Sequence, residues 1–264
     1  EATDGAVTLH IPEEHFFPWS PDSPFLYDLT VGTTQGEEEQ RDTVHSYFAL
    51  RKWSCAPDAH GIMRFCLNGK PILLNGLLDQ GYWPEGLYTP PSDGAVVREL
   101  QTIKELGFNL LRKHAKIEPQ RWYYHCDKLG LIVWQDMVNG GGPYKLWFVT
   151  YLTNVFQPLL RRLPDAKPLW GLLGRETEAG REEYARELEA TVKALQCHPC
   201  VGCWVPFNEG GAVRCAGPWR PSAGWTIPAL WTRPAAGTTR AGEMWIPVAQ
   251  LFPTRSGLRP REPG

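Results

Sequence analysis

The 264-residue sequence predicts an α/β fold: a partial TIM (β/α)8 barrel preceded by the last strands of a β-sandwich. Between residues 72 and 207, short apolar runs alternate with amphipathic helical patterns, which is typical of a parallel sheet. Each apolar run also ends in polar residues, and (β/α)8 barrels carry their chemistry at the carboxyl ends of their strands. Only four such strands can be counted, and a complete barrel needs about 250 residues. The barrel is therefore predicted to be incomplete.

Composition excludes several classes of protein. Hydrophobic residues make up 42% of the chain and charged residues 21%, so intrinsic disorder is excluded as a general description. No apolar run is long enough to predict a membrane span, and the net charge of −2 does not suggest a nucleic-acid partner. No cofactor is predicted, and the oligomeric state and localisation are left open. Because the chain starts at Glu1, we expect a processed protein or a fragment.

The N-terminal part predicts two strands. Residues 26–31 read as a half-buried strand, and an acidic loop at residues 37–39 separates them from a second run at residues 45–51. Two strands alone do not make a stable sheet. We therefore expect them to be the end of a β-sandwich.

The barrel region predicts its elements in order. Asn68-Gly69 between two apolar runs is a strong hairpin signal. Ser92 is expected to open a helix that Gly107 closes, with Leu106 on its apolar face. Glu118 opens a second helix, where a carboxylate complements the helix dipole. The predicted buried strands are residues 72–78, 108–111, 131–134 and 201–207, and the later helices span residues 118–129 and 181–195.

The last 54 residues differ in composition from the rest. Residues 211–264 contain no Lys, Asp, Asn, His or Tyr, but hold 8 Pro, 7 Gly, 7 Arg and 4 Trp. Such a segment has neither helical nor strand periodicity. It predicts an irregular tail over residues 212–264 that is not part of the fold, and a shifted reading frame is one origin for it. A genuine proline-rich linker is the alternative.

The strand ends supply the candidate site. Asn208-Glu209 ends the fourth strand, placing a carboxyl group and an amide at the predicted barrel mouth. Glycoside hydrolysis needs a general acid and a second carboxylate, and a neighbouring Asn can bind the sugar 2-hydroxyl. The other strand-end candidates for substrate binding are Gln80, Arg112, His114 and Asp136, with Asp79 beside them.

Structural roles for these residues remain open alternatives. Asp136 is also compatible with capping a turn, and His114 with a hydrogen-bonded strand end. Tyr82 and Trp83 follow a strand end and can line the mouth, whereas Trp134 is expected in the core.

The sequence resembles glycoside hydrolase family 2 over roughly residues 8–211. Five segments carry the resemblance in family order: Trp19 to Leu29, Leu67 to Gly76, Gly107 to Arg112, Cys126 to Leu131 and Trp204 to Gly210. It implies an immunoglobulin-like β-sandwich domain ending at residue 52 and the first half of a (β/α)8 glycosidase barrel over residues 53–211. It also implies a carbohydrate substrate, Glu209 as the acid/base of a retaining β-galactosidase-like enzyme, Asn208 as its sugar-orienting neighbour, and Arg112 supporting the catalytic carboxylates.

Two departures from the family matter. Galactosidases of this family often carry Ser-His after the arginine, where this chain has Lys113-His114. The family nucleophile comes from a later strand, and the tail offers only Glu243 and Glu262. The chain is therefore predicted to be inactive.

Two other functional classes are weighed against the glycosidase. One is a non-catalytic carbohydrate-binding remnant. The other is a metal or cluster module on Cys197-His198-Pro199-Cys200-Val201-Gly202-Cys203, which has thiolate spacing but no second ligand cluster. An odd total of seven cysteines argues against a disulfide framework.

Overall fold

The computed structural model describes residues 9–35, 40–138 and 176–206, six isolated positions between 142 and 174, and the backbone of residues 230–231 and 258–259. The described residues form one five-stranded sheet and two three-stranded sheets. Helices connect the strands of the larger sheet, so the α/β class is confirmed.

The N-terminal strands pair with each other. Strands β1 (Tyr27–Gln35) and β2 (Gln40–Phe48) are antiparallel, and the aromatic rings of Tyr27 and Phe48 stack with centroids 4.8 Å apart. Both predicted strands exist, with shifted bounds, and the acidic loop between them lies outside the described residues. The sandwich itself stays a prediction.

The predicted hairpin is confirmed. Strands β3 (Trp53–Pro57), β4 (Met63–Leu67) and β5 (Lys70–Pro71) form an antiparallel sheet. Asn68 and Gly69 join β4 to β5 with φ of 52° and 79°. A two-residue turn of type I′ needs positive φ at both positions, which Asn and Gly tolerate best.

The larger sheet is parallel. Its elements in chain order are β6 (Gly76–Asp79), α1 (Asp93–Glu105), β7 (Leu110–Lys113), α2 (Gln120–Leu129), β8 (Ile132–Asp136), α3 (Glu178–Leu195), β9 (Val201–Val205) and β10 (Leu230–Trp231). The strand order is β10-β9-β8-β7-β6, and every neighbouring pair is parallel.

Two strands involve the tail. The two-residue strand β10 pairs with β9, and β11 (Leu258–Arg259) pairs antiparallel with β1. All other residues of the predicted irregular tail lie outside the described part of the chain, and its origin stays a prediction.

The helices end where the sequence indicates, but α2 begins at Gln120 instead of Glu118, and α3 begins at Glu178 instead of Arg181. The Ser92 hydroxyl accepts the backbone N–H of Ala95, which satisfies one free donor in the first turn of α1. Gly130 ends α2 in the left-handed conformation, with φ of 73°. Helix α3 buries the four apolar residues that its periodicity selected: Tyr184, Leu188, Val192 and Leu195.

Two burial predictions are wrong. The strand predicted over residues 72–78 shortens to β6, and Leu73 and Leu78 are 84% and 57% exposed. Strand β6 is the edge strand of the described sheet, and no described residue covers its outer side. Leu106 is also exposed, because it lies beyond the last turn of α1, not on its buried face.

The β3–β5 sheet packs on the parallel sheet. A Cβ atom at Gly202 would lie 2.9 Å from the Trp53 ring, so β9 needs glycine there. The Phe65 ring contacts the ring of Trp134, at a centroid distance of 5.6 Å. Trp53 is buried, and Trp134 packs against the same core, as predicted for it. No helix of the described residues has the length and apolar character to cross a membrane.

Candidate active site

An arginine and an aspartate meet at the carboxyl ends of adjacent strands. Arg112 on β7 donates from Nε to Oδ1 of Asp136 at 2.9 Å, and from Nη2 to Oδ2 at 3.0 Å. Arg112 lies opposite Trp134 in the register, and Asp136 follows two residues later on the same face of β8. Such a bidentate pair fixes the plane of the guanidinium group.

The carboxylate of this pair is buried, whereas the arginine reaches the surface. The Asp136 side chain has no exposed area, and the Arg112 side chain is 30% exposed. Burial raises the pKa of Asp136, because desolvation outweighs the opposing effects of Arg112 and His114. The backbone N–H of Ala115, whose φ is 49°, also donates to Asp136. Asp136 thus anchors Arg112, so a simple turn-capping role does not describe it, and its place in a substrate site stays a prediction.

His114 and Gln80 lie at the same edge. The backbone N–H of His114 donates to the Asp79 carbonyl oxygen at 2.8 Å, extending the ladder between β6 and β7. The Gln80 amide nitrogen is 3.5 Å from Nδ1 of His114. His114 also interacts with the charge of Asp136, which places both side chains near the Arg112–Asp136 pair, and their role in substrate binding stays a prediction.

A buried charge cluster occupies the opposite face of the strand ends. The Lys113 Nζ atom lies 2.5 Å from Asp79 Oδ2 and 2.9 Å from Glu118 Oε1, and 4.3 Å from the centre of the Trp122 ring. Lys116 binds the same Glu118 oxygen at 2.8 Å. Two lysines thus face two carboxylates, which compensates the charges that burial would otherwise penalise.

The cluster corrects the role assigned to Glu118. Glu118 is buried and lies before the first residue of α2, where it binds two lysines instead of complementing the helix dipole. The sequence motifs predict no role for Lys113. Alternation along β7 places Arg112 and Lys113 on opposite faces of the sheet. Lys113 therefore shares the face of Leu111, which is covered by helices. A lysine at such a buried position needs carboxylate partners, and this was the available signal in the sequence.

Gln135 supports the backbone beside Asp136. The Tyr123 hydroxyl donates to Gln135 Oε1 at 2.6 Å, and Gln135 Nε2 donates to the carbonyl oxygens of Lys116 and Asp136 at 2.8 Å. All of these atoms are buried. The network ties α2, the β7–α2 loop and the end of β8 together, and so holds the Asp136 backbone in place.

A second polar cluster lies at the opposite end of the sheet, before β9. His198 Nδ1 is 2.7 Å from Asp127 Oδ2, and the Tyr47 hydroxyl donates to the same oxygen at 2.6 Å. Arg51 donates to three carbonyl oxygens between His198 and Val201. These contacts join the N-terminal segment to the parallel sheet.

The metal-module alternative finds no support in this region. His198 is bound to Asp127, Cys197 is exposed, and Cys200 and Cys203 are buried. Burial raises the pKa of the Cys200 thiol well above its ordinary value, which opposes the thiolate that metals bind. Among the described residues, no group of His, Cys, Asp and Glu is arranged to hold a metal ion.

The predicted acid/base and its neighbour lie outside the described residues. Strand β9 ends at Val205, which pairs with Asp136 in the register, and Asn208 and Glu209 follow in the sequence. Their roles therefore stay predictions.

Comparisons with known proteins identify relatives. No family model matches the chain. The chain is 26% identical over 212 residues to a β-galactosidase of Leuconostoc mesenteroides, an alignment that covers 79% of this chain and 17% of that protein. The fold is similar to that of Bacteroides uniformis β-glucuronidase 3, with a TM-score of 0.53 and 21% identity, over 74% of this chain and 20% of that one.

A third comparison shows the same fold. The family 2 β-galacturonidase of Eisenbergiella tayi matches with a TM-score of 0.50 and 20% identity, over 75% of this chain and 29% of that one. The chain spans between 17% and 29% of the length of these proteins. It is related at low identity, over part of its length, to glycoside hydrolase family 2.

Proposed function

We propose that the chain carries part of the substrate site of a retaining β-glycosidase that resembles β-galactosidases. Residues 53–211 would form the first half of a (β/α)8 barrel, and residues 1–52 the end of an immunoglobulin-like sandwich. The parallel sheet, its helical connections and the family relationship support this assignment. In such barrels substrates bind at the carboxyl ends of the strands.

The bidentate contact of Arg112 with Asp136 is the observation that carries the proposal. A buried carboxylate that holds a partly exposed guanidinium group preorganises hydrogen-bond donors at the mouth, where a sugar hydroxyl or a carboxylate can accept them. His114 and Gln80 lie close enough to add polar contacts to the same ligand. We propose that these residues bind the reacting sugar and orient it.

Glu209 is proposed as the acid/base, and Asn208 as the partner of the sugar 2-hydroxyl. A retaining mechanism also needs a nucleophilic carboxylate about 5–5.5 Å from the acid/base. Within these 264 residues the only carboxylate side chains after Glu209 are those of Glu243 and Glu262, and neither belongs to a family-like strand. We therefore propose that the 264-residue chain binds a β-glycoside without hydrolysing it.

The test compares binding and turnover. Arg112→Ala is expected to weaken binding of methyl β-galactoside about tenfold, the loss expected for a charge-assisted hydrogen bond. Arg64→Ala is the matched control, because Arg64 forms an exposed pair with Asp58, with 2.8 Å between Nε and Oδ2. Unchanged binding in Arg112→Ala would contradict the proposed site. Turnover of nitrophenyl β-galactoside that Glu209→Gln abolishes would contradict the proposed inactivity.

A further inference from the structure

The loop after β6 presents two aromatic rings that the candidate site does not use. Tyr82 and Tyr88 are 58% and 55% exposed. Their ring centres are 4.7 Å apart, and their hydroxyl oxygens are 2.6 Å apart. Two adjoining rings with polar tips form an amphipathic surface, of the kind that binds ligands with both apolar and polar faces.

A short ladder beneath the two rings holds the loop together. The backbone N–H of Trp83 donates to the Leu87 carbonyl oxygen at 2.7 Å, and the N–H of Leu87 returns a bond to Trp83 at 2.9 Å. Trp83 is partly buried and packs against the core. Tyr82 and Tyr88 flank this pair as antiparallel neighbours, which keeps their rings adjacent.

A buried lysine fastens both ends of the loop. Lys116 Nζ donates to the carbonyl oxygens of Gly81 and Tyr88 at 2.7 and 2.8 Å, and its charge is paired with Glu118. Gly81 has a φ of 68°, and a Cβ atom there would lie 2.5 Å from Glu118 Oε1. The loop therefore rests directly on the charge cluster, which holds the backbone that carries both rings and so lowers the cost of ordering the loop on binding a ligand.

The loop starts at the candidate site. Gln80, whose amide approaches the His114 ring, is separated from Tyr82 by Gly81 alone. The surface therefore adjoins the proposed substrate mouth at the carboxyl edge of the sheet. Rings that are more than half exposed cannot enclose a reacting sugar, but they can support a second ring that extends from the mouth towards solvent.

We propose that Tyr82 and Tyr88 form an aromatic platform for a neutral sugar ring on the leaving-group side of the bound glycoside. The C–H groups of a pyranose ring pack on the negative face of an aromatic ring, while the phenolic hydroxyls can meet sugar hydroxyls. The positive charge of Lys116 beneath the platform is paired with Glu118. Because this charge is already compensated, the platform suits a neutral sugar ring better than an anionic one. The inference rests on the proposed function, because it assumes a glycoside in the adjacent mouth.

The experiment measures affinities of the full 264-residue chain by calorimetry. The probes are the methyl β-glycosides of galactose, glucuronic acid and galacturonic acid, each compared with the same sugar β-1,4-linked to glucose. For whichever of the three sugars binds, we expect the form linked to glucose to bind about five- to tenfold tighter than the methyl glycoside of the same sugar. Tyr82→Ala and Tyr88→Ala should each reduce this ratio towards one and leave the affinity for the methyl glycoside unchanged.

Controls separate the platform from general effects. Tyr82→Phe keeps the ring and should retain most of the ratio. Phe16→Ala removes an aromatic side chain of similar exposure, 55%, outside the loop, and should change nothing. A ratio that survives both alanine variants, or a ratio of one in the unmodified chain, would overturn the platform. If only the glucose-linked sugars bind, and binding depends on Tyr82, the platform stands and the proposed site for the reacting sugar fails. Binding of no probe overturns both.

Discussion

The stability of the chain should fall across the mildly alkaline range, because of a single ion pair before β9. Burial alone would lower the pKa of His198, but its hydrogen bonds with Asp127 and Cys197, together with the charge of Asp127, raise it from 6.5 to about 9. Tyr47 and Cys197 also face this ring. A histidine whose pKa is higher in the folded state is stabilising below its unfolded pKa, and that stability is lost as the pH rises through the folded value.

The expected magnitude follows from the two pKa values. A rise from 6.5 to about 9 corresponds to ~3 kcal/mol of unfolding free energy, present at about pH 6 and lost by about pH 9.5. Urea unfolding of the unmodified chain and of His198→Gln measures it, because other titrating groups contribute equally to both proteins. The difference between the two free energies should shrink by ~3 kcal/mol over this range. A difference that does not change with pH would refute the reasoning.

Two further predictions concern buried contacts. Lys113→Met should lower the unfolding free energy by ~3–5 kcal/mol in a urea titration. The substitution leaves Asp79 without its buried ammonium partner and removes one of the two ammonium partners of Glu118. A loss below ~1 kcal/mol would show that these carboxylates find other compensation. Gly130→Ala should lower the melting temperature more than Gly69→Ala. Both glycines have positive φ, but a Cβ atom at Gly130 would lie 2.4 Å from the Pro21 carbonyl oxygen, whereas nothing lies within 4 Å at Gly69. Equal shifts would mean that backbone strain alone sets the cost, about 1 kcal/mol.

The order and type of most elements from β1 to β9 could be predicted from the sequence, because local rules decide them. Strand β3 was missed, and β10 and β11 lie in a tail predicted to be irregular. Helical periodicity selected the buried face of α3, and Asn68-Gly69 specified the hairpin turn that the backbone adopts. Strand alternation with helices predicted a parallel sheet. Each of these signals lies within about a dozen neighbouring residues, where propensity and periodicity act.

The residue contacts of the site depended on tertiary structure. Arg112 meets Asp136, and Lys113 meets Asp79, because β6, β7 and β8 align in one particular register. The sequence shows that both partners of each pair are polar residues at strand ends. It does not show which residues of neighbouring strands lie side by side on the same face of the sheet. Glu118 looked like a residue of a helix start and proved to be a buried ion partner of Lys113. The sequence by itself determined the type and order of most strands and helices, although the bounds of several shifted. Only the tertiary structure decided which charges meet, because strand register and burial are set by contacts between residues that are distant in the chain.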